Sequence, residues 1–299
     1  MDISQLQNKN EKLIASVICN MCLLFVYINP DPKEGDYKVI LVNNRDEFYS
    51  RPTKAAYFWD SGILGGADMY AGREGGTWLG MTQNGNIACL LNILKPREEF
   101  MKDGAARGFL VVDFLLGNSG GFEYMKKVAD SGVKYKDFNL VILEPEGNSY
   151  KIGYLNSSKN IPQVLEPGVL GFGNSVVEKP FKKVQRGKKK MEEVIRSLGK
   201  KSCEKELIHE LFEMMKDREM NFPDDQLSYQ GRQHSKDLLD ELCRMWVKCT
   251  SINYGTRTTT VILVDHKGNV TYKEQTMEEP IDINNVTWKE NQYNFTVQV

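Results

Sequence analysis

Val39-Ile40-Leu41-Val42-Asn43-Asn44-Arg45-Asp46-Glu47 runs four apolar residues directly into five polar or charged ones. A short apolar run of this kind predicts a buried strand. The strand then delivers a dense polar cluster, Asn44-Arg45-Asp46-Glu47 above all, to its own end. The preceding apolar run, Cys22-Leu23-Leu24-Phe25-Val26-Tyr27, is headed by Met21 and lies one loop upstream. Two neighbouring strands so arranged bring a thiol beside an arginine. That pairing makes either a nucleophile or the remnant of one.

The chain has 299 residues, 41% of them apolar, which is enough for a substantial core. A formal net charge of −1 argues against nucleic acid as a partner. Six cysteines are too sparse for a disulfide scaffold, so they read as reduced thiols of an intracellular, cytoplasmic protein. Residues 13–28 are largely apolar but fall short of the roughly 18–20 residues that a spanning helix needs. Ahead of them Asp2 and Glu11 balance Lys9 and Lys12, unlike a secretory signal, and no arginine precedes Arg45, unlike a transit peptide. Residues 1–20 therefore read as an N-terminal extension to a single domain over 21–299. Without a secretory signal, the four Asn-x-Ser/Thr matches, the first at Asn156, read as chance.

The pattern predicts strands near 22–28, 38–42, 77–81 and 87–91, the last two joined by a hairpin at Gln83-Asn84-Gly85-Asn86. Between them, 62–76 is glycine-rich. Asp103 is positioned to cap a helix ending at Gly117, and Ser119 a second one ending near Gly132. Strands follow near 139–143, 150–155 and 169–172. A helix from Pro180 to before Gly199, and one capped by Ser202 with Leu207, Ile208, Leu211, Phe212, Met214 and Met215 at helical spacing, come next. Strands at 245–252, 258–265 and 270–276 close the chain. Strands, then helices, then strands fit an α+β domain.

A cysteine at a chain start carries its own base, since an α-amine near pKa 8 accepts the thiol proton. Here twenty residues precede Met21, and with them in place Cys22 has only an amide nitrogen. A buried strand-end cysteine is the plain alternative. Alternation along a strand puts Arg45 and Glu47 on one face and Asp46 on the other. Arginine near a thiol favours thiolate and holds acids, or else belongs to a strand-end ion network. Asn174, after Gly171-Phe172-Gly173, has the amide to stabilise an oxyanion. Arg257 starts a strand, and Trp78 lines a pocket or packs in the core. Arg73-Glu74-Gly75-Gly76 lacks the lysine of a phosphate-binding loop. Cys19-Asn20-Met21-Cys22 has no second pair at zinc spacing, and His209, His234 and His266 are scattered, so no metal site is expected. Haem ligation by a single histidine or cysteine stays open. Seven basic residues and no acid lie between Lys179 and Lys190, either a solvated helix face or a contact for anionic membrane.

Met21-Cys22, Asn44-Arg45-Asp46-Glu47 with Phe48 and Arg51-Pro52 behind it, Glu74-Gly75-Gly76-Thr77-Trp78-Leu79-Gly80, Gly173-Asn174-Ser175 and Tyr254-Gly255-Thr256-Arg257 run in order along the chain. Together they resemble the Transport and Golgi organisation protein 2, or NRDE-motif, family. The resemblance implies an N-terminal-nucleophile-hydrolase-like four-layer αββα sandwich. It implies a role in haem homeostasis, with haem or an acyl- or lipid-type molecule as cargo, and links to the Golgi or mitochondria. Asn44, Arg45, Asp46, Glu47 and Trp78 would then line a ligand site. Within that broader fold group, bile-salt-hydrolase-type enzymes place a first cysteine, an arginine, an aspartate, a mid-chain asparagine and a late arginine in the order of Cys22, Arg45, Asp46, Asn174 and Arg257. The twenty-residue extension departs from them. A haem-binding or mobilising factor, a cysteine-nucleophile amide or thioester hydrolase, and a membrane-trafficking adaptor follow as the three expectations.

Overall fold

Val39, Ile40, Leu41 and Val42 are buried on both faces of their strand, which accounts for an unbroken apolar run rather than an alternating one. The computed structural model describes residues 21–99 and 104–298. The extension 1–20, with Cys19, and the expected cap Asp103 lie outside the described residues.

The strand is β2 (Tyr37–Phe48), and it sits inside a seven-stranded sheet. Its neighbours are β1 (Leu23–Ile28) and β12 (Tyr254–Asp265). β10 (Gly168–Phe172) flanks β1, and β13 (Asn269–Met277) and β14 (Trp288–Thr296) extend the other side. The order is β10-β1-β2-β12-β13-β14, with the short β11 (Lys248–Cys249) on β12. The second sheet is a meander in chain order: β3 (Thr53–Phe58), β4 (Ile63–Asp68), β5 (Leu79–Thr82), β6 (Ile87–Asn92), β7 (Phe138–Glu146), β8 (Ser149–Asn156) and β9 (Gln163–Leu165). Every pairing is antiparallel.

Helices α1 (Phe109–Leu116) and α2 (Gly121–Asp130) pack on the second sheet. Helices α3 (Lys182–Leu198), α4 (Glu204–Met215), α5 (Asp225–Gln230) and α6 (Lys236–Leu242) cover the first. A third apolar cluster, with Leu24, Leu41, Met81, Val141 and Ile262, fills the space between the sheets. The layers thus run helix, sheet, sheet, helix, as the α+β reading expects.

Several local expectations change. β2 does not stop at Val42 but continues through Phe48, so the polar cluster lies within the strand. The segment 245–252 is not one strand: β11 is followed by a 3-10 turn, Thr250–Ile252. Within the glycine-rich stretch, Ile63–Asp68 is β4. Gly108 and Gly120, not Asp103 and Ser119, precede α1 and α2. α3 starts two residues past Pro180, and its first amide, Lys182 N–H, donates to Asp224 Oδ2 at 2.6 Å. The other oxygen of Asp224 caps α5 through Leu227 N–H. One aspartate, distant in sequence from α3, therefore serves two helix starts. α4 begins at Glu204 behind a 3-10 turn that contains Ser202.

Candidate functional site

Asn43, Asn44, Arg45, Asp46 and Glu47 are all buried. A strand of such residues stays in the sheet because β12 pairs with it throughout: Gly255 opposite Glu47, Thr256 opposite Asp46, Thr258 opposite Arg45 and Thr259 opposite Asn44. Arg257 is the extra residue of a bulge between Thr256 and Thr258, a device that re-aims a side chain.

The alternation sorts the cluster as expected. Asn44 and Asp46 face the helices. Asn44 Nδ2 donates to the carbonyls of Met215 (3.0 Å) and Met245 (3.1 Å), and its oxygen accepts from Thr259 (2.7 Å). This amide ties the last turn of α4 to β2. Asp46 Oδ1 accepts from Thr256 Oγ1 at 2.6 Å, while its Oδ2 is buried without a partner. Burial lifts the Asp46 carboxyl to about 7, against the opposing pull of Lys183 and the Thr256 hydroxyl.

Arg45 and Glu47 face the second sheet. The Arg45 guanidinium lies 4.1 Å above the Trp78 ring, its Nη2 is 3.6 Å from Glu47 Oε2, and its Nη1 is buried without a partner. Glu47 Oε2 also reaches Arg51 at 3.5 Å. Arg51 in turn grips Asp68 with both prongs, at 3.1 and 2.6 Å.

Register brings three sequence-named residues into one row. Leu23 pairs with Asn44, so the next step sets Cys22 opposite Arg45. Leu24 pairs with Phe172 at the end of that ladder, and continuing its register two residues past β10 brings Asn174 level with Cys22. Asn174 donates its amide to Asn92 O at 2.7 Å, linking the end of β10 to the end of β6. The thiol itself differs from the sequence expectation. Cys22 is buried, its Sγ is 4.0 Å from the Asp46 carbonyl, and burial pushes it up to about 12. The Asp46 carboxylate raises it further, and Arg45 does not offset the two. The thiol is therefore protonated at neutral pH. Met21 N–H donates to the buried Tyr254 hydroxyl at 2.6 Å, and the Cys22 nitrogen is a peptide amide.

The residue that sequence reasoning missed is Lys183. It belongs to the basic run but is fully buried, with its Nζ donating to Arg244 O at 3.2 Å. Burial lowers its pKa, with Asp46 as the largest opposing influence. The available signal was spacing: Lys183, Gly187 and Met191 form an i, i+4, i+8 stripe, all buried. Arg186 and Lys190 are committed to Asp217, and Arg186 also to Glu219. The run is thus not one solvated face: of the remaining four, Lys179, Lys182 and Lys189 are exposed and Lys188 is half-buried.

Trp78 is seated by a missing side chain. A Cβ on Gly66 would fall 2.4 Å from the Trp78 ring. Gly66→Ala should unseat the ring and cost Arg45 its stacking partner, about 1–2 kcal/mol. In a chain whose other three tryptophans are phenylalanine, Trp78 emission should shift to the red. An unchanged spectrum would contradict the seating.

None of the three histidines joins the row. His209 lines a cleft of about 450 Å³ between α3 and α4, His234 contacts Gln233, and His266 sits in the β12–β13 turn. Among the described residues no group of three or more His, Cys, Asp or Glu has metal-holding geometry, and no helix is long and apolar enough to cross a membrane.

Fold and site together define a two-sheet α+β protein with a thiol–arginine row across the inner face of its first sheet. The sequence profile of the family described as Transport and Golgi organisation 2 matches residues 21–279, and the chain belongs to that family. It is 37% identical over 284 residues to the Transport and Golgi organization 2 homolog of Mus musculus, covering 93% of this chain and 100% of that one. The Homo sapiens homolog is 38% identical over 285 residues, with the same coverages. The Drosophila melanogaster protein of that name is 32% identical over 272 residues, 86% of this chain and 92% of its own.

Proposed function

We propose that this chain binds and hands over haem, or a related amphipathic ligand with an acid group, in intracellular haem homeostasis, and that its layers are of the N-terminal-nucleophile αββα type. One observation carries the reading. Two buried guanidinium groups, Arg45 and Arg257, each keep an N–H without a partner, and Arg45 does so beside a thiol that burial holds protonated. Buried donors of that kind are costly unless something accepts from them. A protonated thiol next to an amide nitrogen is a poor nucleophile. The arginines suit carboxylates, such as the acid side chains of haem, whereas the row offers no histidine for its iron. Work in the cytoplasm or at mitochondria belongs to this proposal, and an association with the Golgi fits the names of the relatives.

Haem titration of the full chain should give saturable binding. Arg45→Met should weaken it about tenfold, in keeping with the 1.5–3 kcal/mol of a charge-assisted hydrogen bond. Cys22→Ala should leave it within about twofold. Absence of binding to haem and to fatty acids alike would sink the reading.

The register of Asn174, Cys22 and Arg45 favours a second reading, an amide or thioester hydrolase. It requires a chain starting at Cys22, whose free amine would be the base. Intact mass of the cellular protein decides it: retention of residues 1–20 together with full function of Cys22→Ala excludes hydrolysis.

A further inference from the structure

We propose that Glu279 is a tethered stand-in for the ligand's carboxylate, occupying half of an acid-binding fork on Arg257. The inference rests on the binding reading above and adds how the site is kept closed until cargo arrives.

Arg257 is 1% exposed and rigidly held. Its Nη1 donates to the carbonyls of Phe48 (3.1 Å) and Arg51 (2.6 Å), which fixes the plane of the guanidinium. Nη2 meets Glu279 Oε1 at 2.5 Å, and Thr53 N–H donates to that same oxygen at 2.8 Å. Nε is buried and has no partner. Nε–H and Nη2–H lie along one edge of a guanidinium and together match the two oxygens of a carboxylate. Glu279 fills one prong. Arg51, by contrast, has both prongs filled by Asp68.

The occupant also differs from its host in exposure. The Glu279 side chain is 34% exposed against 1% for Arg257. It follows the end of β13 at Met277, in the segment that leads to β14. A side chain so placed can swing to water, whereas the guanidinium cannot follow it. An incoming carboxylate would set one oxygen on Nε and the other on Nη2 and Thr53 N–H. The exchange trades one carboxylate for another, so the buried arginine has a counter-charge in both the closed and the loaded state, and the open form between them, where it has none, is the costly minor one. Glu279 lowers the apparent affinity by the fraction of molecules in which it has swung out. Arg257 immediately precedes Thr258, which pairs with Arg45, so the bulge sets the fork next to the row.

Dodecanoate is a suitable probe, with dodecanol as the control that lacks the acid. Glu279→Gln keeps an oxygen for Nη2 and Thr53 N–H but loses the charge. It should bind dodecanoate about tenfold more tightly than wild type, as expected if the open form is about a tenth of the population. Glu279→Asp keeps the charge on a shorter stem and should fall between the two, which preserves the test if the glutamine variant does not fold. Dodecanol should bind all three alike. Should wild type bind dodecanoate while both variants bind it no better, the stand-in is wrong and the binding function survives. Should none of the three bind dodecanoate or haem, both fall.

Discussion

Gly187→Ala lowers the stability of the protein by roughly 3 kcal/mol, the upper part of the range for an overpacked core. The sign is not obvious, because alanine in a helix interior is favoured over glycine by about 1 kcal/mol. Packing decides it. Gly187 lies on the buried stripe of α3, and a Cβ there would stand 2.1 Å from Phe25 Cζ and 2.8 Å from Met245 Sδ. Phe25 is itself fully buried in β1 and has nowhere to retreat. The helix would have to lift from the sheet, taking the buried Lys183 with it. Thermal melts should show a fall of roughly 5 °C. A melting point equal to or above wild type would refute the account. Gly173, whose Cβ would meet Val184 at 2.7 Å, marks the same close approach one strand over.

The contact at Gly187 also shows what a sequence conceals. The apolar runs of β1 and β2, the Asn84-Gly85 hairpin and the apolar stripe of α4 are local signals, and each marks its element correctly. The continuation of β2 through Asn43, Asn44, Arg45, Asp46 and Glu47 is not local. Those side chains are buried only because β12, more than two hundred residues away, supplies Thr256 and Thr259 as partners. β4 is obscured by Gly65 and Gly66, which are small because the second sheet and Trp78 press on them. β14 is mostly exposed and polar, an edge strand with little pattern to read.

The site divides the same way. Residue type alone suggested Cys22, Arg45, Asn174 and Arg257, and strand register places the first three in one row with the Arg257 bulge beside it. Their chemistry was not legible, since it depends on burial. An arginine near a thiol argues for thiolate in water; in a dry sheet interior desolvation outweighs it. Lys183, Glu274 and Glu279 look like ordinary surface charges in the sequence, and only the packing around them makes them otherwise.

Glu274 provides the second large effect, a loss of stability as pH rises toward neutrality. It is a fully buried carboxyl on β13 that reaches across to the second sheet, where Oε1 accepts from Ala56 N–H at 2.7 Å. Burial raises its pKa from 4.5 to about 7, and its hydrogen bonds from Ala56 and Thr260 and the nearby Arg45 recover only part of the shift. The folded state therefore holds a proton that the unfolded chain releases near 4.5. That contribution is fully present below about 4.5 and is lost as pH climbs to about 7. A shift of that size corresponds to stability on the order of 3 kcal/mol. Asp46, also raised, acts in the same direction, whereas Lys183, depressed, acts oppositely above its own folded value. The isolating measurement is thus the difference in unfolding free energy between wild type and Glu274→Gln at each pH from 5 to 8. The glutamine keeps an acceptor for Ala56 N–H but carries no charge, so wild type should lose ground to it from pH 5 to about 7 and the difference should level off above that. A difference that stays constant with pH would mean that Glu274 is ionised throughout, and that the junction between the sheets tolerates its charge.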